Sequence, residues 1–247
     1  MPHRAYPLTL VLLASTWLSS CATSAPPAPL YQTSTLRALQ HGVFDGLRSL
    51  GMILQHGDFG LGTLNGLDGE LVVLAGQAYR AGADGTVTVV PPEALSPFAA
   101  VTFFVPQRTV PAPAGSCADL LAFLETELGS PNVFVAVQVD GVFPTLTVRS
   151  VPKQAPPYPP LEQVLAGQVV FPLRHQVGSL IGFWTPPYLG AVSSPGWHLH
   201  FLARDRQTAG HLLDCSLAEG VVKLAELPGL VLDLPETETY RTATLSP

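Results

Sequence analysis

Glycine and proline interrupt this chain at short intervals, with 22 and 25 of them in 247 residues. Such punctuation suits many strands joined by tight turns, because glycine supplies positive φ and proline presets φ for a turn. The segments between are apolar. Hydrophobic residues make up 47% of the chain and charged residues 12%. Disorder needs polar, highly charged sequence, so a packed chain is expected. The length allows one large domain or two smaller ones around real cores.

The net charge of −6 argues against a nucleic-acid partner, since no basic stripe exists to neutralise phosphates. A small polar or anionic substrate fits, because local charge in a pocket matters more than the total.

The first residues read as an export signal. His3 and Arg4 precede the apolar run Leu8-Thr-Leu-Val-Leu-Leu-Ala14 and then small residues. The run is too short to span a bilayer as a permanent helix. Residues 1–21 end in Leu18-Ser-Ser-Cys21, which resembles a bacterial lipoprotein cleavage box whose cysteine becomes the lipidated first residue. Plain secretion with cleavage a few residues later is the alternative. Residues 22–30 have the composition of a tether. The expectation is an exported protein, periplasmic or cell-surface, whose membrane contact is an N-terminal lipid at Cys21. Two cysteines remain, Cys117 and Cys215. They could pair in an oxidising compartment, and they lack zinc-finger spacing. Nothing in the sequence brings them close, so two buried free thiols are expected.

Along the chain, residues 31–54 read as helical: Leu36, Leu39, Val43, Leu47 and Leu50 recur at three- and four-residue steps, and Ser34-Thr35 can cap. Residues 56–70 are rich in Gly and Asp and read as loop. Strands are expected at 71–75, 77–80, 86–90 and 101–105, with a hairpin signal at Ala83-Asp-Gly85. A short helix is expected over 117–128. A hairpin is expected from 133–139 and 145–151, turning at Asp140-Gly141. The Pro-rich piece 152–160 is the best internal boundary. Beyond it come a short helix near 161–167, strands at 169–173 and 177–184, and a final helix or strand pair over 221–234. The expected class is α+β: an N-terminal lobe over 31–155 and a C-terminal β-rich lobe over 156–247, with the active site at their interface.

The stretch Trp197-His-Leu-His-Phe-Leu202 alternates, so it reads as a strand. Side chains two apart on a strand share a face, which places His198 and His200 together. Asp205–Gly210 is a turn that brings His211-Leu-Leu-Asp-Cys215 back antiparallel, with His211 across from His200. Three neutral imidazoles at one point, with open positions left over, form the pattern of a catalytic divalent-metal site. Half-buried polar residues on a hairpin are the alternative. His41 and His175 read as surface or packing residues, and His56 as a loop residue within reach of a site.

Four motifs occur in order: Tyr31-Gln-Thr-Ser-Thr-Leu-Arg-Ala-Leu-Gln-His-Gly-Val-Phe-Asp-Gly46, Gly57-Asp-Phe-Gly-Leu-Gly-Thr63, Leu67-Asp-Gly-Glu-Leu-Val-Val-Leu-Ala-Gly76 and Gly196-Trp-His-Leu-His-Phe201. Together they resemble the bacterial α-acetolactate decarboxylase family, from about Tyr31 to Thr242. The resemblance implies decarboxylation of 2-acetolactate to acetoin and CO2 through a metal-stabilised enediolate. It implies a divalent metal of the zinc type on His198, His200 and His211. It assigns catalytic roles to Glu70, to Thr63 and to Arg149 in Leu146-Thr-Val-Arg-Ser-Val-Pro-Lys-Gln154. It also implies a further glutamate near the C-terminus. Here that region reads Leu234-Pro-Glu-Thr-Glu-Thr-Tyr-Arg-Thr-Ala-Thr-Leu245, and neither Glu236 nor Glu238 takes that role. Two other readings stand beside it: a binding lipoprotein that retains the fold without turnover, and a zinc hydrolase. A homodimer is compatible with the sequence.

Overall fold

The structure is a computed structural model that describes residues 1–3 and 27–245. The apolar run of the export signal, Cys21 and the first part of the tether lie outside the described residues. Along the chain run β1 (Leu30–Thr33), α1 (Leu36–Gln40), β2 (Arg48–Ser49), α2 (Leu50–Ile53), β3 (Phe59–Thr63), β4 (Glu70–Leu74), β5 (Gln77–Ala81), β6 (Val87–Val89), β7 (Leu95–Ser96), β8 (Phe98–Thr102), β9 (Arg108–Ala112) and β10 (Gly115–Ser116). Then follow α3 (Cys117–Thr126), β11 (Phe134–Ser150), α4 (Leu161–Ala166), β12 (Val169–Thr185), β13 (Gly196–Ala203), β14 (Ala209–Leu217), β15 (Glu219–Leu227), β16 (Leu230–Asp233) and α5 (Glu238–Thr242).

Two seven-stranded sheets with few short helices make an α+β fold. The first has strand order β16-β1-β8-β3-β4-β5-β6, and the second β10-β14-β13-β12-β11-β15-β9. The sheets face each other across one apolar layer. Phe59, Leu61 and Val72 from the first meet Phe134, Ile181, Phe183 and Leu202 from the second. The outer face of the first sheet is covered by Leu50 and Ile53 of α2. The outer face of the second is covered by Leu120 and Leu124 of α3. With both faces buried, strands read as continuous apolar runs instead of alternating ones. Leu71-Val-Val-Leu74 is such a run.

Several expectations are corrected. Residues 31–33, expected to be helical, lie in β1, a buried strand between β16 and β8. Of the residues with helical spacing, Leu36 and Leu39 lie in α1 and Leu50 in α2, while Val43 and Leu47 lie in the non-helical stretch between. At the start of α1 the Thr35 hydroxyl accepts from Ala38 N at 3.1 Å, and Gly42 follows the helix at φ 83°. The expected turn at Asp140-Gly141 does not form: β11 runs through it for 17 residues. Gln138, Ser179 and Lys223 all donate to the Asp140 carboxylate, so its polarity is satisfied inside the sheet. Gly141 is there because strand β15 begins against it. A Cβ at that position would lie 2.7 Å from Glu219 O.

The chain does not divide between sheets near residue 155. Residues 108–150 already belong to the second sheet, and β16 returns to the first, parallel to β1. The Pro-rich segment connects β11 to α4 within the fold. Cys117 and Cys215, expected to be free thiols, form a disulfide. The sequence hid this because 98 positions separate them. The short β10 pairs with β14, from Ser116 to Ser216, and this brings the next residue of each strand pair to a Cα–Cα distance of 4.7 Å.

Candidate metal centre

The hairpin of β13 and β14 forms as its alternation predicts. His200 pairs directly with His211 in the antiparallel register. His198 and His200 project from one face of β13, towards the first sheet. One nitrogen from each of the three imidazoles lies within 4.8 Å of the others. On the other side of β14, His211 pairs with Arg149 of β11. A register shift between Thr147 and Val148 sits just before this contact. Gly210 lets the strands close there, since a Cβ would lie 2.8 Å from Arg149 O.

The first sheet supplies the remaining groups. Thr63 and Glu70 are direct partners in the β3–β4 ladder. The Thr63 hydroxyl donates to Gly69 O at 2.7 Å. Arg149 Nη1 donates to Glu70 Oε1 at 2.5 Å, an ion pair that is 14% and 8% exposed on its two sides. Arg149 was expected on the same lobe as Glu70, but it stands on the second sheet, because β11 pairs with β12 and β14. The ion pair therefore bridges the sheets.

Protonation follows from this geometry. Burial holds the His198 imidazole down at about 4, with the Arg149 charge adding to the effect. Burial also holds His200 and His211 well below the ordinary imidazole value. All three are neutral near pH 7. His200 Nδ1 lies 2.9 Å from Leu71 O. A carbonyl only accepts, so Nδ1 carries the proton and Nε2 keeps its lone pair. The opposite tautomer would set two acceptors against each other at that contact. Burial pushes the Glu70 carboxyl above the usual carboxylate range, and Arg149 opposes that rise.

These facts test whether a metal fits. His200 Nε2 lies 3.5 Å from Glu70 Oε2 and 3.3 Å from His211 Nδ1. When Glu70 is ionised, an imidazole lone pair facing its carboxylate oxygen puts two acceptors together with no proton between them. A cation resolves that contact, and three neutral imidazoles are a suitable donor set for a divalent one. The hydrogen bond to Leu71 O orients the His200 ring in the way outer contacts commonly hold a ligand.

All six residues named from the sequence line one pocket of about 400 Å³. His41 and His175 are exposed and stand apart from it. His56, placed within reach of a site, instead stacks on Tyr31 at 4.0 Å. Two features of the pocket had no sequence signal. One is the Leu71 carbonyl, since any residue offers one. The other is an apolar wall that includes Leu36, Leu39, Phe98, Leu161 and Leu165, whose residues read as ordinary core.

Fold and site together define a class: a two-sheet α+β protein with a three-histidine site able to hold a divalent metal beside a buried carboxylate–guanidinium pair. A model of the alpha-acetolactate decarboxylase family matches residues 30–247, and the chain belongs to that family. The alpha-acetolactate decarboxylase of Klebsiella aerogenes is 40% identical over 224 residues, which are 90% of this chain and 86% of that protein. The Bacillus subtilis strain 168 protein of the same name is 36% identical over 229 residues, which are 92% and 90% of the two chains. Its crystal structure aligns with a TM-score of 0.86, covering 88% of this chain and 94% of that one.

Proposed function

We propose that this chain decarboxylates 2-acetolactate to acetoin and CO2, with the pocket between the sheets as its active site. The observation that carries the reading is the convergence of three neutral imidazoles, the Glu70 carboxylate and the Arg149 guanidinium on one cavity. His198, His200 and His211 would hold the metal, and zinc suits three imidazoles with a position left open. When bound, the metal supplies Lewis acidity, drawing electron density from the ketone and hydroxyl oxygens of the substrate.

The chain's own residues do the rest. Arg149 spends one N–H on Glu70 and keeps others for the substrate carboxylate, whose planar shape its fork matches. The carboxylate leaves as CO2, and its bonding pair moves toward the adjacent ketone. A proton must then reach the carbon that bore the carboxylate. Glu70 Oε1 is engaged by Arg149, which leaves Oε2 to hold a proton or to face the metal. The Thr63 hydroxyl donates its hydrogen bond to Gly69 O, so toward the pocket it only accepts. The substrate hydroxyl is the donor that fits it. Preorganised groups of this kind typically contribute about 3–4 kcal/mol each where charge develops.

The test is to incubate purified, metal-loaded protein with racemic acetolactate, with and without a chelator, and to measure acetoin. Acetoin that disappears with the metal supports the reading. No acetoin at full metal occupancy sinks it.

We also propose that the protein works outside the cytoplasm, anchored through Cys21. The leader Leu8–Ala14, the Leu18-Ser-Ser-Cys21 box and the Cys117–Cys215 disulfide support this, since disulfides persist in oxidising compartments. Labelled fatty acid should enter the wild-type protein and not Cys21→Ser.

A further inference from the structure

We propose that Leu161 and Leu165 of α4 determine which alkyl group the pocket accepts on the carbinol carbon of its substrate. This rests on the decarboxylase reading above and assigns a specificity role that the metal and charged groups do not have.

The pocket has two unlike ends. Glu70, Arg149, Thr63 and the histidines make the polar one. A substrate with its carboxylate, hydroxyl and ketone oxygens held there has only alkyl groups left to present to the other. That end is lined by Leu36, Leu39, Phe98, Val151, Leu161 and Leu165. A volume of about 400 Å³ lies near the low end of the roughly 300–1,000 Å³ of pockets for drug-sized ligands. It exceeds what a five-carbon acid fills, so the apolar end has room for further methylenes.

Most of this wall cannot be adjusted without damage. Leu39, Phe98 and Val151 are buried in a small core with Phe44, Leu67 and Val164. Leu161 and Leu165 differ. They are four apart, so they share one helical face, and both are half-buried at the pocket. Val164, 4% exposed, anchors α4 to that small core, while Glu162, Gln163 and Ala166 are exposed. The preceding segment is tied down separately, by Gln154 N donating to Gly66 O at 2.6 Å and Tyr158 OH to Asp45 Oδ1 at 3.0 Å. Val164 is thus the one residue of α4 buried in that core, while Leu161 and Leu165 pack against the core and also line the pocket.

The experiment compares kcat/KM for acetolactate with that for its homologue carrying butyl in place of methyl on the carbinol carbon. In Leu161→Ala and Leu165→Ala the butyl-to-methyl ratio should rise about 10-fold or more above wild type. In Leu165→Phe it should fall by a similar factor. Gln163→Ala, on the exposed side, should keep the wild-type ratio. Thermal unfolding and metal content establish that each variant is folded and loaded, and Leu161→Val and Leu165→Val serve where alanine does not fold. Ratios within twofold of wild type in both alanine variants overturn the proposal while acetoin formation still supports the decarboxylase.

If loaded wild type makes no acetoin, the decarboxylase reading fails by itself. Calorimetry with unreactive 2-hydroxy-2-methyl and 2-hydroxy-2-butyl carboxylic acids then tests the wall. Relative affinity for the butyl acid should rise about fourfold per methylene newly accommodated in the alanine variants. Unchanged relative affinity rejects the role of α4.

Discussion

The two sheets contribute to the pocket by different means. The second is built on two 17-residue strands, β11 and β12, and β11 pairs with β12, β14 and β15. It carries His198, His200, His211 and Arg149 on strands held from both sides. The first sheet consists of strands of three to five residues. It contributes Glu70, Thr63 and the Leu71 carbonyl, all on or beside one ladder. The second sheet fixes the positions of the metal-binding nitrogens. The first sets the tautomer of His200, through Leu71 O, and the charge balance of the site, through Glu70. On this division, loss of a histidine from the second sheet removes the metal, and damage at the far edge of the first barely reaches the chemistry.

The largest effect is expected from His200→Ala. It deletes Nε2 and also removes the side-chain contact to Leu71 O. Metal content by elemental analysis should fall to background, and activity by at least about 10²–10³-fold. A variant that keeps its metal would show that the hairpin is not the site. Next comes Arg149→Lys. Metal should stay bound, because the three imidazoles remain, while activity falls about 10²-fold as the planar fork is lost. Loss of metal in this variant would mean that the Arg149–Glu70 pair, and not the hairpin alone, holds the site together.

The hairpin was legible because two independent signals agreed. Alternation fixed the face of His198 and His200, and the turn at 205–210 fixed His211 opposite His200. Glu70, Thr63 and Arg149 were visible only through resemblance. A lone Glu or Arg at a strand end has no pattern of its own, and their meeting depends on two strands 79 positions apart in sequence. The α+β class was legible from the mixture of many short strands with few helices along the chain, and the sheet boundaries were not. Residues 31–33 precede the periodic leucines and are captured as a strand by β8 and β16, a tertiary pairing that no local window contains. Asp140-Gly141 has turn chemistry, yet three side-chain donors absorb its carboxylate, and packing against β15 claims its glycine.

The disulfide sharpens the comparison from the outer face of the second sheet. It ties the start of α3 to β14, four positions beyond His211. In Cys117→Ala/Cys215→Ala, stability should fall by about 2–4 kcal/mol, lowering Tm by roughly 5–15 °C. Metal content at 25 °C should be unchanged, because β13 and β11 still flank β14. Metal lost together with the disulfide would show that the ladder alone does not hold His211 in place.

The smallest effect is expected at the edge of the first sheet. Asp233 on β16 accepts from Arg48 at 2.6 and 2.9 Å and from Tyr31 OH at 2.7 Å. The Arg48 hydrogen bond, with that of Tyr31 behind it, holds the Asp233 carboxyl below the usual carboxylate range. A depressed folded value means that this contribution is present above about pH 4 and lost as pH falls through the folded pKa. Tyr31 has the opposite sign. Burial and the Asp233 carboxylate push its phenol up to about 12, so its contribution is complete below about pH 10 and is lost as pH rises toward 12. Both groups of the ion pair are about one-quarter exposed, and screening limits such a pair to about 1 kcal/mol or less. Stability curves of wild type and Asp233→Asn should therefore converge by that amount between pH 5 and pH 2, and Tyr31→Phe should flatten the alkaline limb. Activity at pH 7 should change less than twofold in Asp233→Asn, since Asp233 does not line the pocket. A large loss of activity there would break the division of labour between the sheets, because it would couple the outermost strand of the first sheet to Glu70 across β1, β8 and β3.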